Sequence, residues 1–168
     1  MGPLLTEEYI GAMGVKYIFE YSECDSFDHL PKYKITQCYA VAFHNDKIVI
    51  VHNEKKNTWG LIGGTIEDGE NPDETLQREV AEESNMETLY FKPIGYQKVI
   101  DTRGIQEPFY QLRYFSIVKP FGKFESDPAS SVDKILEIDP KDYKTYFNWG
   151  EIGEAIIKRA LEIKIEIR

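Results

Sequence analysis

The chain has 168 residues, of which 42% are hydrophobic and 29% are charged, and its formal net charge is −9 at pH 7. This length suits one domain with a sizeable core, and the composition is that of a soluble globular protein. The acidic balance argues against a broad nucleic-acid-binding surface. The sequence contains no apolar run of 18 residues, so no membrane span is predicted. Because no basic and then apolar leader opens the chain, we expect a cytoplasmic protein.

The first part of the chain predicts strands separated by polar loops. The segments rich in β-branched and aromatic residues are, in order, 15–21, 35–43 and 47–52. The last two predict a hairpin that turns at Asn45 and Asp46. A charged loop, residues 53–58, then leads to the glycine-containing segment 59–64.

A helix is predicted to begin at Pro72. Asn71 suits the N-cap position, and Glu74, three residues later, can complete a capping box. Asn85 can take the left-handed conformation that commonly ends a helix. The apolar stripe between these ends is thin, so we expect the helix to turn carboxylates as well as apolar side chains towards the protein.

Three glutamates of this predicted helix share one face. Glu79 precedes Glu82 by three residues and Glu83 by four, and both spacings bring side chains together on a helix. Like charges at these spacings destabilise a helix by a few tenths of a kcal/mol per pair, roughly. A divalent cation held by carboxylate oxygens would offset that cost, whereas a solvated acidic face is the alternative interpretation.

The second part of the chain predicts further strands and a closing helix. The strand-like segments are 94–100, 109–118 and 135–138. The helix covers 149–163 and has its apolar side chains on one face. Strands with a few helices packed on them predict an α/β fold in which a mixed sheet lies between helical layers. No repeat or break in composition marks a second domain, so residues 1–168 are expected to form one domain, with 1–33 as an N-terminal extension.

The segment from Gly64 to Met86 resembles the signature of the Nudix (MutT-like) hydrolases. That signature reads G-x5-E-x7-R-E-U-x-E-E-x-G-U, where U is a bulky aliphatic residue. Gly64, Glu70 and the run 78–86 match it at every position but one. One position departs from the signature, because the late glycine is Asn85. Asparagine is the residue next most tolerant of a left-handed backbone, so we expect the turn to be kept.

The resemblance implies a fold, a cofactor and a reaction. The fold is an α/β/α sandwich with a mixed central sheet, and the cofactor is Mg²⁺, for which Mn²⁺ can substitute. The reaction is hydrolysis of a phosphoanhydride bond in a nucleoside diphosphate linked to another moiety. We expect the substrate to be a small-molecule nucleotide, such as a nucleoside triphosphate.

The resemblance also assigns the metal ligands. Glu79 and Glu83 are the main ligands, and the carbonyl of Gly63 completes their shell. Glu82 binds further metal or serves as the general base. These three glutamates are therefore predicted to be both metal-binding and catalytic.

Arg78 and Glu70 are expected to support the site from around the metal ligands. Arg78 can bind a carboxylate with both arms of its guanidinium group. Some members of the family draw the general base from a later loop, and Glu125, Asp127 and Asp133 are the candidates here.

The signature does not specify the moiety joined to the diphosphate. Residues 100–104 lack the proline and the tyrosine that mark ADP-ribose and dinucleoside polyphosphate hydrolases in the family, which favours a nucleoside triphosphate. The alternatives are an RNA 5′-pyrophosphohydrolase, against which the acidic charge argues, and a non-catalytic nucleotide-binding regulator. Intact glutamates at all four signature positions favour the enzyme. Pairing through the N-terminal extension would make a homodimer, an arrangement that the sequence allows without requiring it.

Overall fold

The computed structural model describes residues 4–126 and 131–167. Within these ranges the chain forms nine strands and two α-helices. The strands are β1 (Leu5–Ile10), β2 (Lys16–Glu23), β3 (Ile35–His44), β4 (Lys47–Asn53), β5 (Thr58–Gly60), β6 (Ile62–Thr65), β7 (Met86–Asp101), β8 (Phe109–Pro120) and β9 (Val132–Ile138). The helices are α1 (Pro72–Ser84) and α2 (Gly150–Glu166). Neither helix has the length and apolar character needed to cross a membrane.

The nine described strands belong to one mixed sheet. Its strand order is β1-β2-β7-β8-β3-β4-β5, while β6 pairs with β3 and β9 pairs with β4. The central pair, β3 and β8, is parallel, and the other pairs are antiparallel. The predicted α/β class with a mixed sheet is confirmed.

The sheet is covered on both faces. Ala40 and Ala42 of β3 belong to the core beneath α1, whereas Val41 and Phe43 of the same strand belong to the core beneath α2. Alternate residues of a strand point to opposite faces, so β3 contributes to both cores. The result is an α/β/α sandwich with the two helices on opposite sides.

Helix α1 begins and ends where its sequence predicts. The side chain of Asn71 accepts a hydrogen bond of 2.9 Å from the backbone N–H of Glu74. At the other end Asn85 has φ 54° and ψ 44°, the left-handed conformation, and its N–H donates to the carbonyl of Ala81. Both ends depend on neighbouring residues alone, which is why local sequence could predict them.

Five strands differ from the predicted pattern. β5 and β6 lie around the segment 59–64, for which no strand was predicted, and each pairs with a longer strand. β1 was not expected, because this edge strand pairs only with β2 and most of its side chains are exposed, so no apolar alternation reveals it. β7 begins at Met86 rather than at residue 94, and its first half shows no apolar alternation, because Leu89 and Tyr90 are both exposed. β9 begins at Val132 rather than at residue 135. In each case pairing with a neighbouring strand extends the β structure beyond the segment with a clear pattern.

Substitution of the core residue Leu76 should test how α1 is held. Leu76 is fully buried against the sheet, and we expect Leu76→Ala to lower the free energy of unfolding by about 2 to 5 kcal/mol. Urea unfolding followed by circular dichroism measures this. The control is Leu161→Ala on α2, where the side chain is 36% exposed and the loss should be much smaller. Equal losses in the two variants would contradict the packing described.

Candidate active site

Strand β6 and helix α1 bring the glycine segment against the acidic helix face. β6 pairs with β3, so that Gly63 lies beside Tyr39 and Gly64 beside Cys38. The backbone N–H of Gly63 donates a hydrogen bond of 2.8 Å to Oε1 of Glu83. Two segments about twenty residues apart in sequence thus meet at one carboxylate.

Glycine is required at positions 63 and 64 because both backbones are closely approached. A Cβ atom on Gly63 would overlap the carbonyl oxygen of Cys38 and the Cα of Tyr39. A Cβ on Gly64 would overlap the carboxylate of Glu79. The missing side chains therefore make the space in which a carboxylate of α1 contacts the backbone of β6.

The guanidinium group of Arg78 joins three of the predicted site glutamates. Nε and Nη2 donate to the two oxygens of Glu70, at 2.7 Å and 3.0 Å, in a bidentate contact. Nη1 donates to Glu79 and to Glu82, both at 3.1 Å, and Nη2 also donates to the carbonyl of Thr65. One positive charge thus offsets part of the mutual repulsion of the carboxylates.

Glu70 is held firmly as a carboxylate. Besides the contacts from Arg78, it accepts hydrogen bonds from the hydroxyl of Thr75, at 2.9 Å, and from the backbone N–H of Glu67, at 3.0 Å. The hydrogen bonds from Arg78, above all, lower the pKa of Glu70 to about 2. Glu70 therefore anchors Arg78, and Arg78 in turn orients Glu79 and Glu82.

Burial is the main influence on the pKa values of Glu79 and Glu83, the two main predicted metal ligands. It raises the pKa of Glu83 to about 8, against the opposing effect of the hydrogen bond from Gly63. Burial likewise raises the pKa of Glu79, although the charge of Arg78 lowers it. Two partly buried carboxylates without full charge compensation, beside a backbone that lacks side chains, fit a hard divalent cation with oxygen ligands.

The carboxylates engage other groups in the conformation described. Glu79 is hydrogen-bonded to Arg78, and Glu83 is hydrogen-bonded to Gly63. Among residues 4–126 and 131–167, no three histidine, cysteine, aspartate or glutamate side chains form a ready metal cluster. Each of these hydrogen bonds uses one oxygen, Oε1, of its carboxylate.

Two of the three candidate bases from the later part of the chain, Glu125 and Asp133, are described by the structure, and they lie in different surroundings. Glu125 lines an open groove of about 520 Å³ together with Glu82. Asp133 instead accepts a hydrogen bond of 2.6 Å from Nδ1 of His52, in a separate cluster on β9 and β4. Asp127 lies outside the described residues. Of the described candidates, Glu125 is the one that shares a surface with a predicted site glutamate.

Asn85 has a contact that the sequence patterns missed. Its side-chain amide donates to the carbonyl of Lys123 at 3.0 Å, and its own carbonyl accepts from the N–H of Phe121. A glycine, which the signature has here, could not make the first contact. The departure from the signature therefore ties the loop after β8 to the end of α1.

Polar residues on the other face of the sheet were also missed. Four polar residues lie within strands whose sequences are mainly apolar, and hydrogen bonds join them in the structure: Gln37, Gln97, Gln111 and Arg113. The available signal was the interruption of apolar strand patterns by long polar side chains. Pattern alone could not show that these residues meet.

The family model for the NUDIX domain matches residues 36–155, which is most of the chain. With the signature, the sandwich fold and the glycine–glutamate site all in place, this match shows that the chain belongs to the Nudix family of hydrolases. No curated protein matches the chain by sequence.

Solved structures with the same fold include several Nudix proteins. A mutant of the Bacillus subtilis pyrophosphohydrolase BsRppH matches with a TM-score of 0.69 at 14% identity, over 93% of this chain and 96% of that one. A NUDIX hydrolase from Nitrosomonas europaea gives 0.60 at 15% identity, over 75% and 88%. The NUDIX domain of Shewanella oneidensis NrtR, in complex with ADP ribose, gives 0.59 at 20% identity, over 80% and 93%. At these identities the similarity is one of fold.

The ion pair between Glu70 and Arg78 should make stability depend on pH. We expect Glu70→Gln to cost about 1 to 3 kcal/mol of unfolding free energy at pH 7, because it replaces charge-assisted hydrogen bonds by neutral ones. The pKa of Glu70 is near 2 in the folded protein and near 4.5 in the unfolded chain. The stabilisation is therefore complete above pH 4.5 and disappears as the pH falls to 2.

Urea unfolding of the parent protein and the variant from pH 7 down to pH 2 measures this difference. The control is Glu87→Gln, since Glu87 is exposed on β7. A Glu70→Gln difference that stays constant with pH would refute the role given to the ion pair.

Two substitutions of Asn85 should separate its backbone conformation from its side-chain contact. Asn85→Gly keeps the left-handed turn and loses the bond to Lys123, whereas Asn85→Ala loses the bond and also strains the backbone. We expect the alanine variant to be less stable than the glycine variant by about 1 to 2 kcal/mol. Thermal or urea unfolding of both variants tests this, and equal stability would exclude backbone strain as the difference.

Proposed function

We propose that this protein is a divalent-metal-dependent hydrolase that cleaves a phosphoanhydride bond in a nucleoside diphosphate linked to another moiety. The observation that carries the proposal is the meeting of two partly buried carboxylates, Glu79 and Glu83, with the side-chain-free backbone of Gly63 and Gly64. A hydrolase of phosphoanhydrides needs neutralised phosphate charge, a positioned water and a base, and this arrangement has the groups to supply them.

Glu79, Glu83 and the carbonyl of Gly63 are the groups that would hold Mg²⁺ or Mn²⁺. When bound, the cation neutralises phosphate charge and makes its bound water more acidic. Glu82, whose side chain is 43% exposed, is open to a further ion or to a proton. Its contact with Arg78 keeps that carboxylate beside the two ligands.

Arg78 and Glu70 have a positioning role in this proposal. The bidentate contact with Glu70 holds the guanidinium plane, and the remaining donors of Arg78 reach Glu79 and Glu82. Because Nη1 is shared between Glu79 and Glu82, Arg78 would keep its contact with Glu82 if Glu79 bound a cation. Arg78 is therefore placed to limit the movement of the ligands during turnover.

The proposed substrate is a small nucleotide, and a nucleoside triphosphate is the first candidate. Family membership and the intact set of four signature glutamates support hydrolysis over mere binding. The structurally similar S. oneidensis domain binds ADP ribose, a nucleoside diphosphate joined to another moiety. Organisation as one domain, a cytoplasmic location and pairing into a homodimer stay predictions from the sequence.

Substitution of the predicted metal ligands is the direct test. Glu79→Gln and Glu83→Gln should each lower metal-dependent turnover by about 100-fold or more while the protein stays folded, because each removes a charged oxygen ligand. The assay is phosphate release with Mg²⁺ or Mn²⁺, using coupled pyrophosphatase or phosphatase. The panel comprises nucleoside triphosphates, nucleotide sugars, ADP-ribose, dinucleoside polyphosphates and 5′-triphosphorylated RNA.

Glu87→Gln serves again as the matched control and should keep the parent rate, and thermal melting shows that each variant is folded. Unchanged turnover in both ligand variants would refute the assigned roles. A parent protein that neither cleaves any member of the panel nor binds Mg²⁺ or Mn²⁺ would refute the proposed function itself.

A further inference from the structure

A row of polar side chains crosses the α2 face of the sheet. Tyr21 of β2 pairs with Gln97 of β7, Gln97 with Gln111 of β8, and Gln111 with Gln37 of β3. Gln37 in turn pairs with Thr65 of β6. Residues paired across a sheet point to the same face, and Tyr21 belongs to the core beneath α2. The row thus runs over that face as far as the strand that carries the glycine pair.

The three glutamines are joined into a chain, which we call the glutamine relay (Gln97, Gln111 and Gln37). Nε2 of Gln97 donates to Oε1 of Gln111 at 3.1 Å, and Nε2 of Gln111 donates to Oε1 of Gln37 at 2.6 Å. Nη2 of Arg113 also donates to Oε1 of Gln111, at 3.2 Å. Arg113 thus contacts the middle member of the relay.

Arg113 dictates which way the amides of the relay point. A guanidinium group can only donate hydrogen bonds, so the oxygen of Gln111 must face Arg113 and its nitrogen must face Gln37. The oxygen of Gln37 then accepts, and the NH₂ group of Gln37 is left to donate elsewhere. Gln37 is partly exposed, so the relay ends in a donor of fixed orientation at the surface.

Arg113 is an unusual buried cation. Its residue is only 4% exposed, and its guanidinium lies 5.1 Å from the ring of Tyr39 and 6.0 Å from the ring of Trp149. Nη1 donates to the carbonyl of Leu112, but Nε has no hydrogen-bond partner among the described residues. A buried donor without a partner calls for an explanation beyond packing.

A second buried polar atom without a described partner lies next to Arg113. The hydroxyl of Tyr21 has no hydrogen-bond partner among the described residues, and it lies so close to Gly95 that a Cβ atom on Gly95 would be 2.7 Å from it. Gly95 in turn pairs directly with Arg113. Two unsatisfied polar groups therefore share one place behind the relay. Their position indicates a site shaped by hydrogen bonding and not by apolar packing alone.

The relay is joined to the candidate active site through the sheet. Gln37 pairs with Thr65, whose carbonyl accepts a hydrogen bond from Arg78. Tyr39, whose ring packs on Arg113, pairs with Gly63, whose N–H binds Glu83. A substrate with its diphosphate at the glutamates thus has this polar face within the same set of neighbouring strands.

We propose that the glutamine relay, held in one orientation by Arg113, reads the hydrogen-bonding edge of the substrate nucleobase through the NH₂ group of Gln37. Uncharged amides with fixed donors and acceptors suit a base edge, and the partly exposed rings of Tyr39 and Trp149 offer flat surface beside it. Arg113 is a positioning residue in this proposal, since it acts through Gln111. The inference rests on the proposed function, because it takes the substrate to be a nucleotide.

The test compares binding of four ligands that differ only in their base. Adenosine, guanosine, cytidine and uridine are titrated into the protein by calorimetry in the presence of EDTA, because they carry the base without the phosphates and need no cation at the glutamates. We expect one base to bind about tenfold or more tightly than the weakest, and Gln37→Glu to change that ranking by about tenfold, because a donor becomes an acceptor. Gln77→Glu, the same change at an exposed position of α1, should leave the ranking as it is.

The role of Arg113 is tested through its partner. Gln111→Glu keeps an acceptor for Arg113 and removes the donor to Gln37, so we expect the ranking of bases to weaken although the protein melts as before. Arg113→Lys keeps the charge and loses the planar fork, and where it remains folded it should weaken the ranking in the same way.

Equal affinity for the four nucleosides, no binding of any of them, or an unchanged ranking in Gln37→Glu and Gln111→Glu would overturn the proposal. Its failure is distinguishable from failure of the proposed function. Metal-dependent hydrolysis without discrimination between bases would refute the relay proposal and leave the proposed function standing. Discrimination between bases in EDTA, in a protein that hydrolyses no nucleotide, would support the relay proposal and refute the proposed hydrolase function.

Discussion

The candidate site depends on holding four glutamates together without unfolding the helix that carries three of them. Arg78 makes this arrangement stable: it binds Glu70 with two hydrogen bonds and still reaches Glu79 and Glu82. Charge-assisted hydrogen bonds of this kind are stronger than neutral ones, and the planar guanidinium directs them. Lysine, a point charge without a fork, could not contact the same three carboxylates in fixed directions. The remaining repulsion and the burial of Glu83 are costs that a bound cation would offset.

The glycine pair is the backbone counterpart of this charge cluster. Because positions 63 and 64 carry no side chains, β6 lies close enough to α1 for its N–H to bind Glu83 and for Glu79 to contact it. The same absence allows β6 to lie flat against Cys38 and Tyr39 of β3. Glycine thus serves the packing of the sheet and the chemistry of the site at once, so substitution there would disturb both.

The two faces of the sheet have different characters near the site. Beneath α1 the core is apolar, with Ala40 of the sheet and Leu76 and Val80 of the helix, and this core places the glutamate face of the helix. Beneath α2 the apolar core gives way to the glutamine relay and Arg113. A central sheet of this kind can fix the reacting groups at one edge while its opposite face contacts the rest of a ligand. The cross-strand register, rather than any single loop, relates the two.

The sequence by itself determined the class of fold, the bounds of α1 and the residues of the signature, because these depend on periodicity, capping and spacing within about twenty-five residues. The family assignment followed from that local pattern and is confirmed, while the roles of Glu79, Glu82 and Glu83 remain proposals. Only the tertiary structure decided which distant residues meet. The edge strand β1, the first half of β7 and the contact of Gln37 with Gln111, 74 residues apart, arise from strand pairing. Such pairing leaves no local periodicity, since each strand supplies only one member of every cross-strand contact.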